Sequence, residues 1–457
     1  MSARSVPRAR RNYAVWEITL KCNLACSHCG SRAGAARDNE LTASEALDLV
    51  HQMADLGIDE VTLIGGEAYL RADWLDIAAE IVRLGMTCGV TTGGYGVSRT
   101  IAQRMHDAGI STVSVSVDGL QATHDRLRGV RGSWRRCFET IGHVVAAGIP
   151  LPCCNTQINR LSAAELPLLY EEIRKAGVAA WQVQLTVPMG RAADHPEMLL
   201  QPFELLELYP MLAHVIERAR REGVDVQPGN DIGYYGPYES IFRSTPGSGD
   251  FWQGCMAGLR TIGIEADGAI KGCPSLPTAS YAGGNIRERP LKEIVQTTDR
   301  LRFNIGAGTP RGADHTWGFC GSCDYRQLCR GGCTWTAHVF FDRPGNNPYC
   351  HHRALTLASR GVGEQVRLAE PAPGLPFDHG RFELLQRPLL DAGVDDPEAF
   401  SLAGVLWPLA WLRDDPSLAE RLAAERDRTI ASYGTSGAAD APYREALDLI
   451  RGAPSSL

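Results

Sequence analysis

The 457-residue chain has no apolar run of the roughly 18 residues that a membrane-spanning helix needs. Its start, Met1 to Asn12, carries four arginines but lacks the apolar core of a secretion signal. The protein therefore reads as cytoplasmic, without a membrane partner. Basic charge is scarce as well: a formal net charge of −7, with few lysines against many arginines, excludes a general nucleic-acid binder, whose affinity rests on a basic face. No repeat at a solenoid period is visible. What remains, 44% hydrophobic and 22% charged residues, is the composition of an ordinary globular protein with room for two or three domains.

Cysteine, by contrast, is plentiful, with 14 in the chain. Without a secretion signal they point to metal and not to disulfides. Ten fall into patterned groups, while Cys88, Cys137, Cys153 and Cys154 do not and read as small buried apolar residues.

From Ala14 to about Leu185, short apolar runs alternate with segments of helical period. The runs Val15 to Leu20, Glu60 to Ile64, Thr87 to Thr91, Thr112 to Val117, Cys153 to Ile158 and Trp181 to Val187 predict strands. The segments Ala43 to Leu56, Trp74 to Leu84, Arg99 to Ala108, Arg135 to Ala147 and Ala163 to Ala176 predict the helices between them. Glycines at 57, 85, 109, 148 and 177 supply helix stops. The fold class is α/β, a repeated strand-helix unit whose parallel sheet curls into a partial or full barrel. In such folds the site lies at the C-terminal ends of the strands.

The first strand leads into Lys21-Cys22-Asn23-Leu24-Ala25-Cys26-Ser27-His28-Cys29, which places three thiols close together. Three thiolates are one short of closing a four-iron, four-sulfur cluster, so one iron is left for another ligand. A zinc site would need a fourth ligand, and only His28, wedged between the thiols, is at hand. Leu63-Ile64-Gly65-Gly66-Glu67 ends the second strand, where glycines allow close backbone approach and a carboxylate accepts from an ammonium group. Thr91-Thr92-Gly93-Gly94 ends the third strand, and Ser114 to Gly119 ends the fourth and runs on to His124-Asp125-Arg126-Leu127-Arg128-Gly129.

The spacing Cys-x3-Cys-x2-Cys with these strand-end motifs resembles the radical S-adenosylmethionine enzymes. That resemblance implies a partial (β/α)6 TIM-type barrel whose first cluster, on Cys22, Cys26 and Cys29, binds and reductively cleaves S-adenosylmethionine to a 5'-deoxyadenosyl radical. It assigns Gly65, Gly66 and Glu67 to the methionyl amino group, Thr92, Ser116 and Asp118 to ribose and carboxylate contacts, and Arg128 to the carboxylate. Gln184, Pro188, Gly190 and Arg191 resemble the last barrel strand and its exit loop. At His28 the family usually has an aromatic residue.

A second set reads Cys255-x12-Gly268-x4-Cys273, then Cys320-x2-Cys323-x5-Cys329-x3-Cys333, then Cys350. It resembles the SPASM extension, a C-terminal iron-sulfur domain with two auxiliary clusters. The resemblance puts Cys320, Cys323, Cys329 and Cys350 on the outer cluster and Cys255, Cys273 and Cys333 on the inner one, making three 4Fe-4S clusters in all. Two departures stand out. No Cys lies in Met256 to Ile264 to complete the inner cluster, and Pro274 follows Cys273 where sulfatase-maturating relatives carry an Asp.

The expected organisation is a barrel over residues 13–200, a helical and loop bridge over 201–254, the SPASM domain over 255–358, a linker from Glu370 to Pro376, and a helical tail over 377–457 cut by Pro388, Pro397, Pro408 and Pro416. The resemblance implies modification of a ribosomally made precursor peptide, with a flavodoxin or ferredoxin as reductant. Only Met1 to Asn12 precede the first strand, so the peptide is expected to be held by barrel and tail or by a separate leader-binding protein. The alternatives are small-molecule cofactor biosynthesis by the same chemistry and, outside enzymes, an iron-sulfur electron carrier.

Overall fold

The computed structural model describes residues 12–243, 251–304, 310–390, 400–401 and 417–435. Six strands, β1 (Tyr13–Glu17), β2 (Glu60–Ile64), β3 (Thr87–Thr92), β4 (Thr112–Ser116), β5 (Leu151–Ile158) and β6 (Ala180–Leu185), run parallel in sequence order. A seventh, β7 (Asp225–Pro228), joins beyond β6, within the stretch expected to hold only a helix and loops. On the other edge β8 (Thr261–Ile264) pairs parallel with β1, followed antiparallel by β9 (Ala269–Lys271) and β10 (Gly284–Asn285). The result is one ten-stranded sheet with open edges, a partial barrel onto which the second cysteine segment is directly hydrogen-bonded.

Local chemistry accounts for the helices. Thr42 caps the helix Ala43–Leu56 in a capping box with Glu45, and Gly57 ends it at φ 80°. That helix buries Ala46, Leu49, Val50 and Met53 against the sheet, each large apolar side chain stabilising the fold by about 1.5–3 kcal/mol. The strands carry Trp16, Val61, Leu63, Val90, Val113 and Val115 into the same core.

The tail departs from expectation. Residues 362–390 form an antiparallel hairpin of β11 (Val362–Glu370) and β12 (Arg381–Leu390), so the expected linker is the start of its connection and Pro388 sits in a strand. Leucine-rich composition favours helix, yet Glu364, Val366 and Leu368 alternate with Gln365 and Arg367 at the period of a strand. Phe382 and Val366 are buried, and Phe382 packs on Phe340 with ring centroids 5.4 Å apart, a tertiary contact that overrides propensity. The helix Ser417–Thr435 does match the helical expectation. Pro397, Pro408, Pro416 and residues 436–457 lie outside the described residues.

Candidate functional site

The cysteine loop is fixed by backbone before any metal is considered. Cys22 N donates to Gly34 O at 2.8 Å, and Ser27 N to Leu127 O at 2.8 Å. Arg191, on the loop after β6, donates through Nε to Cys26 O at 2.7 Å and through Nη2 to Ala33 O at 3.1 Å. Gly190 has φ +59° and a Cβ there would lie 2.3 Å from Gly30 O, so glycine is required for this closure. Each sulfur accepts one N–H: Cys22 from Leu24 N, Cys26 from Arg128 Nη1 and Cys29 from Ala33 N. Such bonds favour the thiolate form and tune any iron bound to it.

Gly65 and Gly66 pack tightly on the chain's own backbone, and Gly65 also reaches the cavity described below. A Cβ on Gly65 would lie 2.3 Å from Thr19 O, and one on Gly66 would lie 2.2 Å from Lys21 O. Gly66 N and Glu67 N donate to those same carbonyls at 2.8 Å, stitching the second strand end to the cysteine loop. Glu67 is buried, accepting from Thr92 Oγ1 and, at 2.6 Å, from Gly93 N. Burial pushes its carboxyl up to about 7, those two bonds acting against it.

Asp118 is fully buried and sits at the centre of an ion-paired group, with Arg128 Nη2 at 2.5 Å and His28 Nε2 at 3.0 Å from its Oδ2. Its Oδ1 accepts from Gln157 N at 2.9 Å. Burial alone raises such a carboxyl, but Arg128 and His28 outweigh it and hold Asp118 well below its ordinary range. Asp118 therefore orients Arg128 against Cys26 and His28 toward the cavity. Ser116 stands half-buried at the end of β4. Behind it the buried Cys137 approaches the Ser116 carbonyl, and Cys88 and Cys154 lie in the core as expected.

The strand ends enclose a cavity of about 230 Å³, lined among others by Glu17, His28, Gly65, Gln157, Gln184 and Thr186. Pro274 and Trp335 from the second cysteine segment and Phe377 from the hairpin connection close its other side. Phe377 N donates to Gly30 O at 3.2 Å, and Gly190 N to Asp378 O at 2.8 Å, so residues 371–380 strap the mouth. His28 Nδ1 and Thr186 Oγ1 are buried here without hydrogen-bond partners, as befits a site shaped for a polar ligand.

Glu17 escaped the sequence reading, although an acid inside the apolar run Ala14 to Leu20 was a signal for it. Burial pushes its carboxyl up to about 8, with Arg37 the main opposing influence. Because the folded value lies above the ordinary 4.5, its stabilising contribution is complete below that pH and lost as pH rises through about 8. Glu17→Gln is thus expected to melt higher than wild type at pH 9, by roughly 3 °C or more, and not at pH 5. Differential scanning fluorimetry showing the same shift at both pH values would rule this out.

The remaining cysteines form two groups. Cys329 lies within electrostatic reach of Cys350, Cys320 and Cys323, and Cys333 within reach of Cys255 and Cys273. Aromatic residues Tyr234, Tyr235, Trp252 and Tyr325 sheathe them, and Cys333 N donates to Tyr234 Oη at 3.1 Å. Burial raises the thiols of Cys22 and Cys323 to about 12 and of Cys273 to about 11, so they ionise only with a cationic partner. A zinc ion holds sulfurs at about 2.3 Å, hence about 3.8 Å apart. Among the described residues no three cysteine sulfurs lie within 4.8 Å of one another, so none of the groups is gathered as tightly as a single zinc ion would hold it. The described residues thus fit clusters at Cys22, Cys26 and Cys29 and at both later groups.

Comparison with known proteins agrees with this geometry. The Radical SAM superfamily model matches residues 16–158, and the SPASM model, an iron-sulfur cluster-binding domain, matches 255–324. The chain is 27% identical over 361 residues to an AdoMet-dependent heme synthase of Nitratidesulfovibrio vulgaris, covering 74% of this chain and 91% of that one. It is 26% identical over 360 residues to the PqqA peptide cyclase of Rhizobium meliloti, covering 76% and 89%. In fold it is similar to Streptococcus suis SuiB bound to precursor peptide SuiA, with TM-score 0.53, 16% identity and 74% of each chain covered. Thiol groups, strand-end motifs and partial barrel agree with these matches: the chain carries a Radical SAM domain over residues 16–158 and a SPASM iron-sulfur domain over 255–324.

Proposed function

We propose that this enzyme modifies a ribosomally made peptide, forming a cross-link, rearranging it or excising part of it. The observation that carries this reading is the strapped cavity. Its lining residues include no lysine or arginine to pair with the several carboxylates of a tetrapyrrole, while its polar groups and apolar walls suit a peptide side chain.

In this reading Cys22, Cys26 and Cys29 hold the first cluster, and Glu67, with Thr92 and Gly93 holding it in place, takes the amino group of S-adenosylmethionine. Arg128 stands close enough to Cys26 to orient the carboxylate. Bound there, S-adenosylmethionine supplies the radical that removes a hydrogen atom from the substrate. Trp335, Phe377 and Met189 wall off water from the reacting side chain.

A second reading, conversion of a tetrapyrrole, is favoured by the heme synthase relatives. It requires the carboxylates of the macrocycle to find basic partners outside the cavity lining. Co-expression with the short peptides encoded beside the gene, followed by mass spectrometry, separates the two. A localised mass change on one peptide is expected. Unmodified peptides, together with turnover of a tetrapyrrole by the reconstituted enzyme, would overturn the peptide reading.

A further inference from the structure

Away from the cysteines, His338, Asp342 and His379 bring three donor atoms within 4.8 Å of one another, the one such set among the described residues. His338 lies on the helix Thr334–Phe341 that starts directly after Cys333, and Asp342 ends that helix. His379 comes from the strap between β11 and β12. Asp342 Oδ1 is 3.4 Å from His338 Nε2 and 3.7 Å from His379 Nε2. For a tetrahedral ion with bonds of about 2.0–2.1 Å to nitrogen and oxygen, neighbouring donors stand roughly 3.3 Å apart, so two edges of the site already approach that spacing.

The second ring nitrogens decide what these atoms offer. His379 Nδ1 lies 2.8 Å from Gly380 O, and a carbonyl can only accept, so Nδ1 carries a proton and Nε2 is the ring atom turned toward Asp342. His338 Nδ1 lies 3.1 Å from Tyr281 Oη, a contact that holds the ring with Nε2 facing Asp342. His338 is 4% exposed, and its Nε2 is buried without a hydrogen-bond partner. Two imidazole nitrogens and a carboxylate thus converge, one of the nitrogens buried and unsatisfied. A cation satisfies all three, and imidazoles held through their far nitrogens are the usual support of a metal site.

We propose that His338, Asp342 and His379 bind a Zn²⁺ ion that staples the 371–380 strap to the iron-sulfur domain. Two imidazoles and one carboxylate suit zinc with a fourth position open to solvent on the exposed Asp342 side. The strand bridge between His379 and Met189 carries the constraint to the cavity wall, so the ion holds the strap down over the mouth. This site is independent of the peptide reading, since it requires only that the strap be closed.

The full-length enzyme with its iron loaded, dialysed against micromolar Zn²⁺ and analysed by elemental mass spectrometry, is expected to retain about one zinc per chain. His379→Ala and Asp342→Ala should bind it at least tenfold more weakly with iron content unchanged, and Zn²⁺ should slow proteolysis within 371–380 in wild type only. Asp342 is largely exposed, so its variant tests the site without disturbing the core. Wild type that holds no zinc, or zinc retained equally in both variants, would overturn the proposal.

Discussion

Replacing Cys22, Cys26 and Cys29 together by alanine is expected to reduce reductive cleavage of S-adenosylmethionine to background. The loss follows from chemistry and not from unfolding. The loop keeps its Gly34, Leu127 and Arg191 contacts, all of which run through backbone carbonyls and amides that alanine preserves. What disappears is the set of three sulfurs, each already receiving an N–H, that leaves one iron open to the amino and carboxylate groups of the cofactor. Iron should fall from about twelve to about eight per chain if all three clusters are of the four-iron type. Circular dichroism should stay near wild type. Continued production of 5'-deoxyadenosine by the triple variant would refute the assignment of the first cluster.

Much of the barrel was legible because each strand-helix unit repeats the same local signals. Glu60–Ile64 and Ala43–Leu56 stand as expected, and the other core elements shift by one to three residues at their ends. The helix Gln121–Arg128 was missed because its stretch is strongly polar, and it forms through burial of His124, Leu127 and Arg128. β7 was missed because four residues are too few to show a period. The hairpin of the tail was missed for the opposite reason: leucine and arginine favour helix locally, while the partner strand and Phe340 decide otherwise. At the site, thiol spacing carried the cysteine groups, since it is a one-dimensional property. The ion pair of Asp118 with His28 was not legible, because it joins residues far apart in sequence, and that with Arg128 was not, because only burial makes the charges consequential. Nor was the strap, whose Phe377 reaches the first cysteine loop across most of the chain.

Cys333→Ala is expected to uncouple the enzyme: cleavage of S-adenosylmethionine continues while the modified product falls at least a hundredfold. Cys333 stands with Cys255 and Cys273, a set one thiolate short within the described residues, so removing it leaves two ligands and no closed site. When loaded, this inner cluster supplies a one-electron acceptor beside the cavity, whose wall includes Pro274, the neighbour of Cys273. The first cysteine loop shares no ligand with this set, which is why cleavage should survive. Packing losses are small by comparison. Deleting one sulfur from the sheath of Tyr234, Trp252 and Tyr325 costs on the order of 1 kcal/mol, too little to unfold a chain with a core of this extent. Iron should drop by about four per chain relative to wild type, with the outer group on Cys320, Cys323, Cys329 and Cys350 retained. An unchanged product yield at that reduced iron content would show that the inner group is dispensable, and would move the electron acceptor to the outer one.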